Sequence, residues 1–503
     1  MSFTDHLIIL PVVLPLVAGT LLLALRGAPV GLQRAASLLA AFTLIPLAGL
    51  MLAATADGTH LVYQLGNWQA PFGIVLVGDR LAAWMLAVTA LVAAFALLYA
   101  VNGTDTQGRH FHVLFQMQLF GLNGAFLTGD LFNLFVFFEI LLLASYGLML
   151  YGGGRARVKA GLHYVVLNLV GSTLFLFAVG TLYGVTGTLN MADLAMKLEH
   201  VPPGSAALVQ SAALLLFGVF ALKAALVPLY LWLPAAYGHT SAPVAALFAI
   251  MTKVGAYSIL RVYSLFTGLD GPLAGLIDAW LLPLALTTLV LGLLGAASST
   301  SLRQQTAYFV VTSIGTLLTA FGLGHVDALA AGLYYLPHST FAVAALFLLA
   351  DSIARGRGEC ADRFEPGPAL PRAAVLGGLF FAVAVAVAGL PPLSGFLAKF
   401  MLLKSALDTA WSSWVLGIVL TTGLLAVVVL ARSGSLLFYR THAAQPPLLP
   451  AAGCGALAPV AGLLALIVAL TVAAGPVSDF AAATATQLMT PLDYIDAVLG
   501  GTR

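Results

Sequence analysis

The segment ALKAALVPLYLWLPAAYGHTSAPVAALFAIMTKVGAYSILRVY, residues 221–263, places a lysine, three prolines and a second lysine in a largely apolar run. An apolar run of this length reads as membrane-spanning helix. Lys223 lies near the end of one such helix, and Pro228 and Pro234 follow it. Proline inside a helix removes a backbone hydrogen bond and opens the chain. Open backbone at membrane depth is tolerated only where protein or a water-filled cavity covers it. Lys253 sits in the next span. The segment therefore implies a polar interior inside a helical membrane protein.

The whole chain agrees. Of 503 residues, 61% are hydrophobic and 8% are charged, against about a quarter charged in soluble domains. A mean hydropathy of +1.03 excludes a water-soluble globule. Segments of alternating polarity are absent, which argues against an outer-membrane barrel. The net charge of +2 is too small and too scattered to suggest nucleic acid as a partner. Cys360 and Cys454 form neither a metal-ligand pattern nor a disulfide framework. The opening MSFTDHLIILPVVLPLVAGT lacks a basic leader and a small-residue cleavage site, so it reads as a retained first helix. No phosphate-binding or dinucleotide motif is present, and no cofactor is expected.

Fourteen spans are expected, near 6–25, 35–53, 79–101, 111–129, 131–151, 160–187, 207–228, 241–265, 274–297, 305–325, 328–353, 374–405, 412–439 and 452–474. Residues TGDLFN, with Gly129, Asp130 and Asn133, suit a turn between the fourth and fifth. Loops following odd-numbered spans carry 13 of the 21 Lys and Arg residues, and those on the other side carry five. Cytoplasmic loops are the basic ones. Both termini are thus expected on the non-cytoplasmic side of the cell inner (plasma) membrane, with RARVKAG and ARGRGECADRFEPGPALPR in the cytoplasm.

Five titratable side chains fall well inside these spans: Glu139, Lys223, Lys253, His338 and Lys399. A lone charge at the bilayer centre costs about 2.5–3.5 kcal/mol on insertion scales. Such residues persist by pairing, by facing water or by giving up their charge. A lysine deprived of water sheds its proton more readily, and a nearby carboxylate opposes that. This combination suits a proton relay. The bland readings are a snorkelling lysine or a satisfied interior histidine; five such groups in one lipid-embedded chain argue against a scaffold alone.

Lys399 lies in AGLPPLSGFLAKF, residues 388–400, where Pro391, Pro392 and Gly395 are expected to break the twelfth span. The broken seventh and twelfth spans are five helices apart. Two five-helix units follow, helices 4–8 and 9–13, and an odd helix number inverts one relative to the other. Inverted repeats with broken helices at matching places mark transporter ion sites. The expected organisation is a single membrane domain over 1–503. Within it, 1–110 holds three N-terminal helices, 111–266 and 267–440 the two repeats, and 441–503 the last helix and a tail.

At these residues the chain resembles the antiporter-like membrane subunits shared by Mrp multisubunit cation/proton antiporters and respiratory complex I. The resemblance spans about residues 80–440 and rests on FFEILLLASYG, ALKAALVPLYLWLPAAYGHTSAPV, MTKVGAYSILR and GLPPLSGFLAKF. Residues LTGDLFNLFVFFEILLLASYGLMLYGGG and YGVTGTLNMADLA resemble the D-type subunits of the Mrp (Mnh/Pha) Na⁺/H⁺ antiporters. The resemblance implies a proton-translocating subunit of a secondary transporter, not an enzyme, assembled with the other Mrp subunits and carrying Na⁺ and H⁺. The alternative it leaves is a proton-pumping subunit of complex I or of a membrane-bound hydrogenase. It further implies that Glu139 pairs with Lys223 and that Lys253 and Lys399 continue a polar axis. Where a lysine is expected in HSTFAVAALFLLAD, this chain has Val343. Waters with His338 or a hydroxyl such as Thr340 would then bridge Lys253 to Lys399.

Reporter fusions test the charge count directly. Fusions at Gly153 and Gly358 are expected to signal from the cytoplasm and one at Gly204 from the opposite side. A non-cytoplasmic signal at Gly153 would overturn the topology.

Overall fold

A computed structural model describes residues 6–269, 271–442 and 454–500. The first five residues, the beginning of the expected span 452–474, the side chain of Cys454, and Arg503 of the charge count lie outside the described residues. Nineteen α-helices are present among the described residues. Ten are long and apolar enough to cross a membrane. In chain order the first nine are α1 Leu10–Ala24, α2 Val30–Thr55, α3 Arg80–Ala100, α4 Phe111–Leu127, α5 Leu131–Leu150, α6 Arg155–Thr186, α7 Met191–Glu199, α8 Pro203–Ala224 and α9 Trp232–His239. They are followed by α10 Ala242–Phe266, α11 Asp278–Ser298, α12 Leu302–Gly322, α13 Val326–Gly356, α14 Ala373–Ala388, α15 Ser394–Ala406 and α16 Ser412–Phe438. The last three are α17 Cys454–Val472, α18 Ala474–Leu488 and α19 Pro491–Leu499.

The turn expected at TGDLFN forms for a local reason. Asp130 is extended and its carboxylate accepts from the Asn133 amide at 2.8 Å, which starts α5. An acceptor at this position satisfies one of the helix's unpaired N–H groups. Asn133 in turn donates to the Thr128 hydroxyl at 2.9 Å.

The two long helices that carry Lys253 and His338 lie deepest. The whole apolar window of α13 is buried, and nearly all of that of α10. Small residues allow this. A Cβ at Gly255 of α10 would fall 2.3 Å from the backbone nitrogen of Ala224, at the end of α8. Without a hydrophobic drive between helices in lipid, close backbone approach supplies the packing.

Both proline-bearing spans are broken, but not at every expected residue. The first break runs from Ala225, which is left-handed at φ +60°, to Leu231, with Pro228 inside it. Its loosened groups are met: Trp232 donates to the Leu222 carbonyl at 3.1 Å, and the Thr288 hydroxyl of α11 accepts from the Val227 amide at 3.0 Å. Pro234 does not break the helix. It lies in the first turn of α9, where no intrahelical N–H bond is lost. The second break follows Ala388, with Gly389 left-handed at φ +73° and Pro391 and Pro392 inside it. Gly395 is not part of it, because α15 has already started at Ser394.

Two further elements depart from the sequence reading. A short antiparallel hairpin pairs β1 Leu61–Gln64 with β2 Val75–Gly78, Leu61 facing Gly78. The expected tail forms α18 and α19, and Gln487 of α18 donates to the Gly58 carbonyl at 2.8 Å. Nearby, Asp79 caps α3 through the Ala82 amide and meets Arg261 of α10 at 2.7 Å, with both side chains buried. Burial pushes the Asp79 carboxyl up, yet the adjoining Arg261 guanidinium outweighs it and holds the group below its ordinary value.

Removing one partner of a buried pair leaves an uncompensated charge and costs about 3–5 kcal/mol. Arg261→Ala is therefore expected to lower the melting temperature of the purified protein more than the Asp79→Asn/Arg261→Ala double variant does. Because the Asp79 value is depressed on folding, its stabilisation is present at neutral pH. It should fade only as pH falls below about 4. Equal melting of the two variants would remove the pair from the fold's supports.

Candidate functional site

Each titratable side chain named from the sequence lies within a helix, and each has a specific neighbour. Lys223, buried in the last turn of α8, donates to the Asn168 side-chain oxygen of α6 at 3.2 Å. Phe138 of α5 lies beneath its ammonium at 5.7 Å from the ring centre. Glu139, next to Phe138 on α5, accepts from the Ser172 hydroxyl of α6. No ion pair within 4.0 Å joins Glu139 and Lys223 among the described residues. The direct pair is thus not formed here: each member is bound to α6, at residues one turn apart.

Lys253 is fully buried in α10 and donates to the Ser313 hydroxyl of α12 at 3.0 Å. Beyond Ser313 lies a cavity of about 30 Å³, room for about two waters by the space one water needs. Thr312, Ser313 and Thr316 line it from α12, Tyr335, His338, Ser339 and Val343 from α13, Lys399 from α15 and Thr422 from α16. Val343 thus faces the cavity, and its short apolar side chain leaves the space open. Thr340 does not take part; its hydroxyl donates to the Leu336 carbonyl of its own helix at 2.7 Å.

The second break is built around His338 and Lys399. The His338 ring bonds the Ala386 carbonyl at 3.0 Å and the Ser394 hydroxyl at 2.8 Å, so it spans the gap between α14 and α15. Lys399 donates to the Ala388 carbonyl, at the end of α14, at 2.8 Å. Carbonyls at a helix C-terminus are unpaired and carry the negative end of the helix dipole, which favours a cation. Lys223 precedes its break and Lys399 follows its own. Gly389 lets the chain turn and leaves room for Lys399, whose terminal atoms would lie 3.0 Å from a Cβ there. Gly395 serves the histidine, since a Cβ at that position would fall 2.3 Å from His338 Nε2.

The sequence reading missed Asn168, Ser172, Ser313, Ser394 and Gly389. A signal for the first two was present: GLHYVVLNLVGSTLFLF, residues 161–177, carries Asn168 and Ser172 four apart, which places them on one helix face. The site offers titratable groups inside the helix bundle with neutral hydrogen-bond partners, plus a small cavity lined by both polar and apolar side chains. Among the described residues no group of three or more metal-ligating side chains could hold an ion.

This arrangement is that of a helical membrane protein with titratable side chains set inside its helix bundle. Residues 128–426 match the family described as NADH:quinone oxidoreductase/Mrp antiporter, TM, and the chain belongs to it. The chain is 42% identical to the D-type subunit of a probable K⁺/H⁺ antiporter of Rhizobium meliloti, covering 100% of this chain and 99% of that protein. It is 35% identical to the D-type subunit of the Na⁺/H⁺ antiporter of Alkalihalophilus pseudofirmus, over 98% of this chain and 99% of that one. A chain in the structure of the Mrp complex from Dietzia sp. superposes with a TM-score of 0.87 at 28% identity, covering 99% of this chain and all of that one. The protein is a multi-pass membrane protein of this family.

The approach of Gly395 to His338 leaves no room for a methyl group. Overpacking of this kind costs about 1–3 kcal/mol. Gly395→Ala is expected to lower the melting temperature of the purified protein, whereas Gly378→Ala, with nothing within 4 Å of its Cβ, stays close to wild type. If the two variants melt alike, the His338 bridge does not hold the second break.

Proposed function

We propose that the chain is the proton-translocating subunit of a multisubunit monovalent-cation/H⁺ antiporter, a secondary transporter driven by the proton gradient. The observation that carries this reading is the set of buried and half-buried titratable groups, Glu139, Lys223, Lys253, His338 and Lys399, each held by a neutral partner that it can leave. In this reading Lys223 exchanges its proton as Glu139 approaches and withdraws. Lys253 passes protons through Ser313 and cavity waters to Lys399, with His338 beside the route. The matched antiporter subunits, including relatives assigned to Na⁺ and to K⁺, support a monovalent cation as the counter-ion. The redox-driven alternative shares the family, while the D-type relatives match this chain end to end.

The axis ends at outer faces of the chain. Glu139 is only half-buried, and Leu143 one turn later is 65% exposed. Lys399 is half-buried too, with Pro391 and Pro392 exposed. A carboxylate facing lipid is costly, so these faces favour cover by other antiporter subunits. The reading retains the division into 1–110, two inverted repeats over 111–266 and 267–440, and a closing part over 441–503. It places the protein in the cell inner membrane with both termini non-cytoplasmic.

Exchange measured in vesicles containing the whole complex tests this. Lys223→Ala, Glu139→Ala and Lys399→Ala are expected to reduce Na⁺- or K⁺-dependent proton exchange to background, at wild-type protein levels by blot. Glu139→Asp keeps the charge but withdraws it by about one ångström, and charges act at range in a low dielectric, so partial activity is expected. Lys404→Ala, near the end of α15, should be mild. A well-expressed Glu139→Ala complex with unchanged rate and pH profile would sink the relay.

A further inference from the structure

The two members of the expected Glu139–Lys223 pair are both attached to a helix that carries neither of them. Asn168 and Ser172 of α6 are almost fully buried. Asn168 has a fixed orientation: its amide NH₂ donates to the Tyr164 carbonyl at 2.9 Å, so its oxygen is the atom that meets Lys223. The reverse orientation would set an NH₂ against an amine and an oxygen against a carbonyl. An amide oxygen accepts only, so it holds Lys223 through the lysine's own proton and cannot itself become charged. Ser172 differs, because a hydroxyl both donates and accepts. Here it donates to Glu139, which satisfies the carboxylate without giving it a cation.

The spacing makes the two contacts one device. Four residues of α6 correspond to an axial offset of about 6 Å, so the amine and the carboxylate are held near each other and apart. Gly171 lies between them. A Cβ there would fall 2.7 Å from Leu222 Cδ2 and 3.9 Å from Lys223 Cε, so its bareness lets α8 lie against α6 at this level. Lys223 is also two residues from left-handed Ala225, where α8 ends, so its backbone lies beside the irregular segment rather than in mid-helix.

We propose that α6 is the catch of the Glu139–Lys223 switch: Asn168 and Ser172 hold the pair open, and closing it requires both bonds to be exchanged for a direct ion pair. This rests on the relay reading above and adds positioning residues to it. The groups that face the pair are few. From α5 come Glu139 and Tyr146, whose buried hydroxyl has no hydrogen-bond partner among the described residues. From α6 come neutral Asn168, Ser172 and Tyr164. Lys253 of the neighbouring α10 is engaged elsewhere, with Ser313 of α12. Glu139 adjoins Phe138, whose ring lies beneath Lys223, so its carboxylate is the acidic group beside the gap. Losing either catch therefore leaves the pair its direct contact as the best remaining partner, and a lysine beside a carboxylate gives up its proton less readily.

The test uses the complete complex in vesicles, with exchange followed from acid to alkaline pH. Asn168→Leu removes the amide at similar volume, and Ser172→Val removes the hydroxyl while adding a methyl group that Ser172→Thr also carries. Each is expected to move the exchange optimum to more alkaline pH by about one unit, a tenfold change in proton affinity. The double variant should move it little further, since either loss closes the pair. Ser172→Thr, which matches valine in shape but keeps the hydroxyl, should bring the optimum back from the Ser172→Val position. A uniform fall in rate with an unmoved optimum, or Val and Thr variants that behave alike, would overturn the catch. If Asn168→Leu does not assemble, the Val–Thr comparison at position 172 decides alone. The relay reading fails separately, through Glu139→Ala and Lys223→Ala complexes that still exchange normally.

Discussion

An amine held among membrane helices needs an acceptor, and among the described residues this chain meets that need three times without placing a carboxylate in contact. Lys223 has an amide oxygen, Lys253 a serine hydroxyl and Lys399 a helix-terminal carbonyl. Each acceptor comes from a different helix than the lysine it serves. The packing of α6 on α8, of α12 on α10 and of α14 on α15 is therefore tied to these contacts. A neutral acceptor satisfies an ammonium's hydrogen bonding without the tight hold of an ion pair, so a proton can leave without an opposite charge being stranded.

The broken helices supply part of this chemistry from the backbone. Where α14 stops, the Ala388 carbonyl receives Lys399, and the Ala386 carbonyl, which also accepts from the Gly389 amide, meets the His338 ring. Where α8 stops, Lys223 occupies the last turn, near the negative end of the helix dipole. Interrupted helices thus provide fixed dipoles at a depth where side-chain charges are expensive. Other polar groups close the remaining gaps, as Trp232 and Thr288 do around the first break. Glycine sets the closest approaches: Gly255 admits the end of α8, Gly389 admits Lys399 and Gly395 admits His338.

Much of this was legible beforehand because the bilayer imposes simple rules. Length and apolarity marked the spans, and proline marked the broken ones. The same rule overreached at Pro234, because a proline in the first turn of a helix disturbs nothing, and at Gly395, whose role is space rather than a bend. The hairpin at Leu61–Gln64 and Val75–Gly78 was not legible, since its short strands are settled by contacts with neighbouring loops and with the helices of the last segment. The last segment itself, with threonine and alanine throughout, carried no hydropathy signal that separated a tail from packed helices.

The site divides along the same line. Charge at membrane depth stands out in one dimension, so Glu139, Lys223, Lys253, His338 and Lys399 could be named from composition and position alone. Their partners could not. Serine, threonine and asparagine are common in membrane helices and usually bond back to their own helix, as Thr340 does. Nothing local separates Thr340 from Ser313, which receives Lys253 from 60 residues away. Only the helix packing decides which hydroxyl meets an amine, and only it put Asn168 and Ser172 between Glu139 and Lys223. The sequence by itself marked these charges within apolar segments and marked which two segments are interrupted. The tertiary structure decided what each charge holds, because a hydrogen bond is set by distance and direction between helices that the linear order does not place side by side.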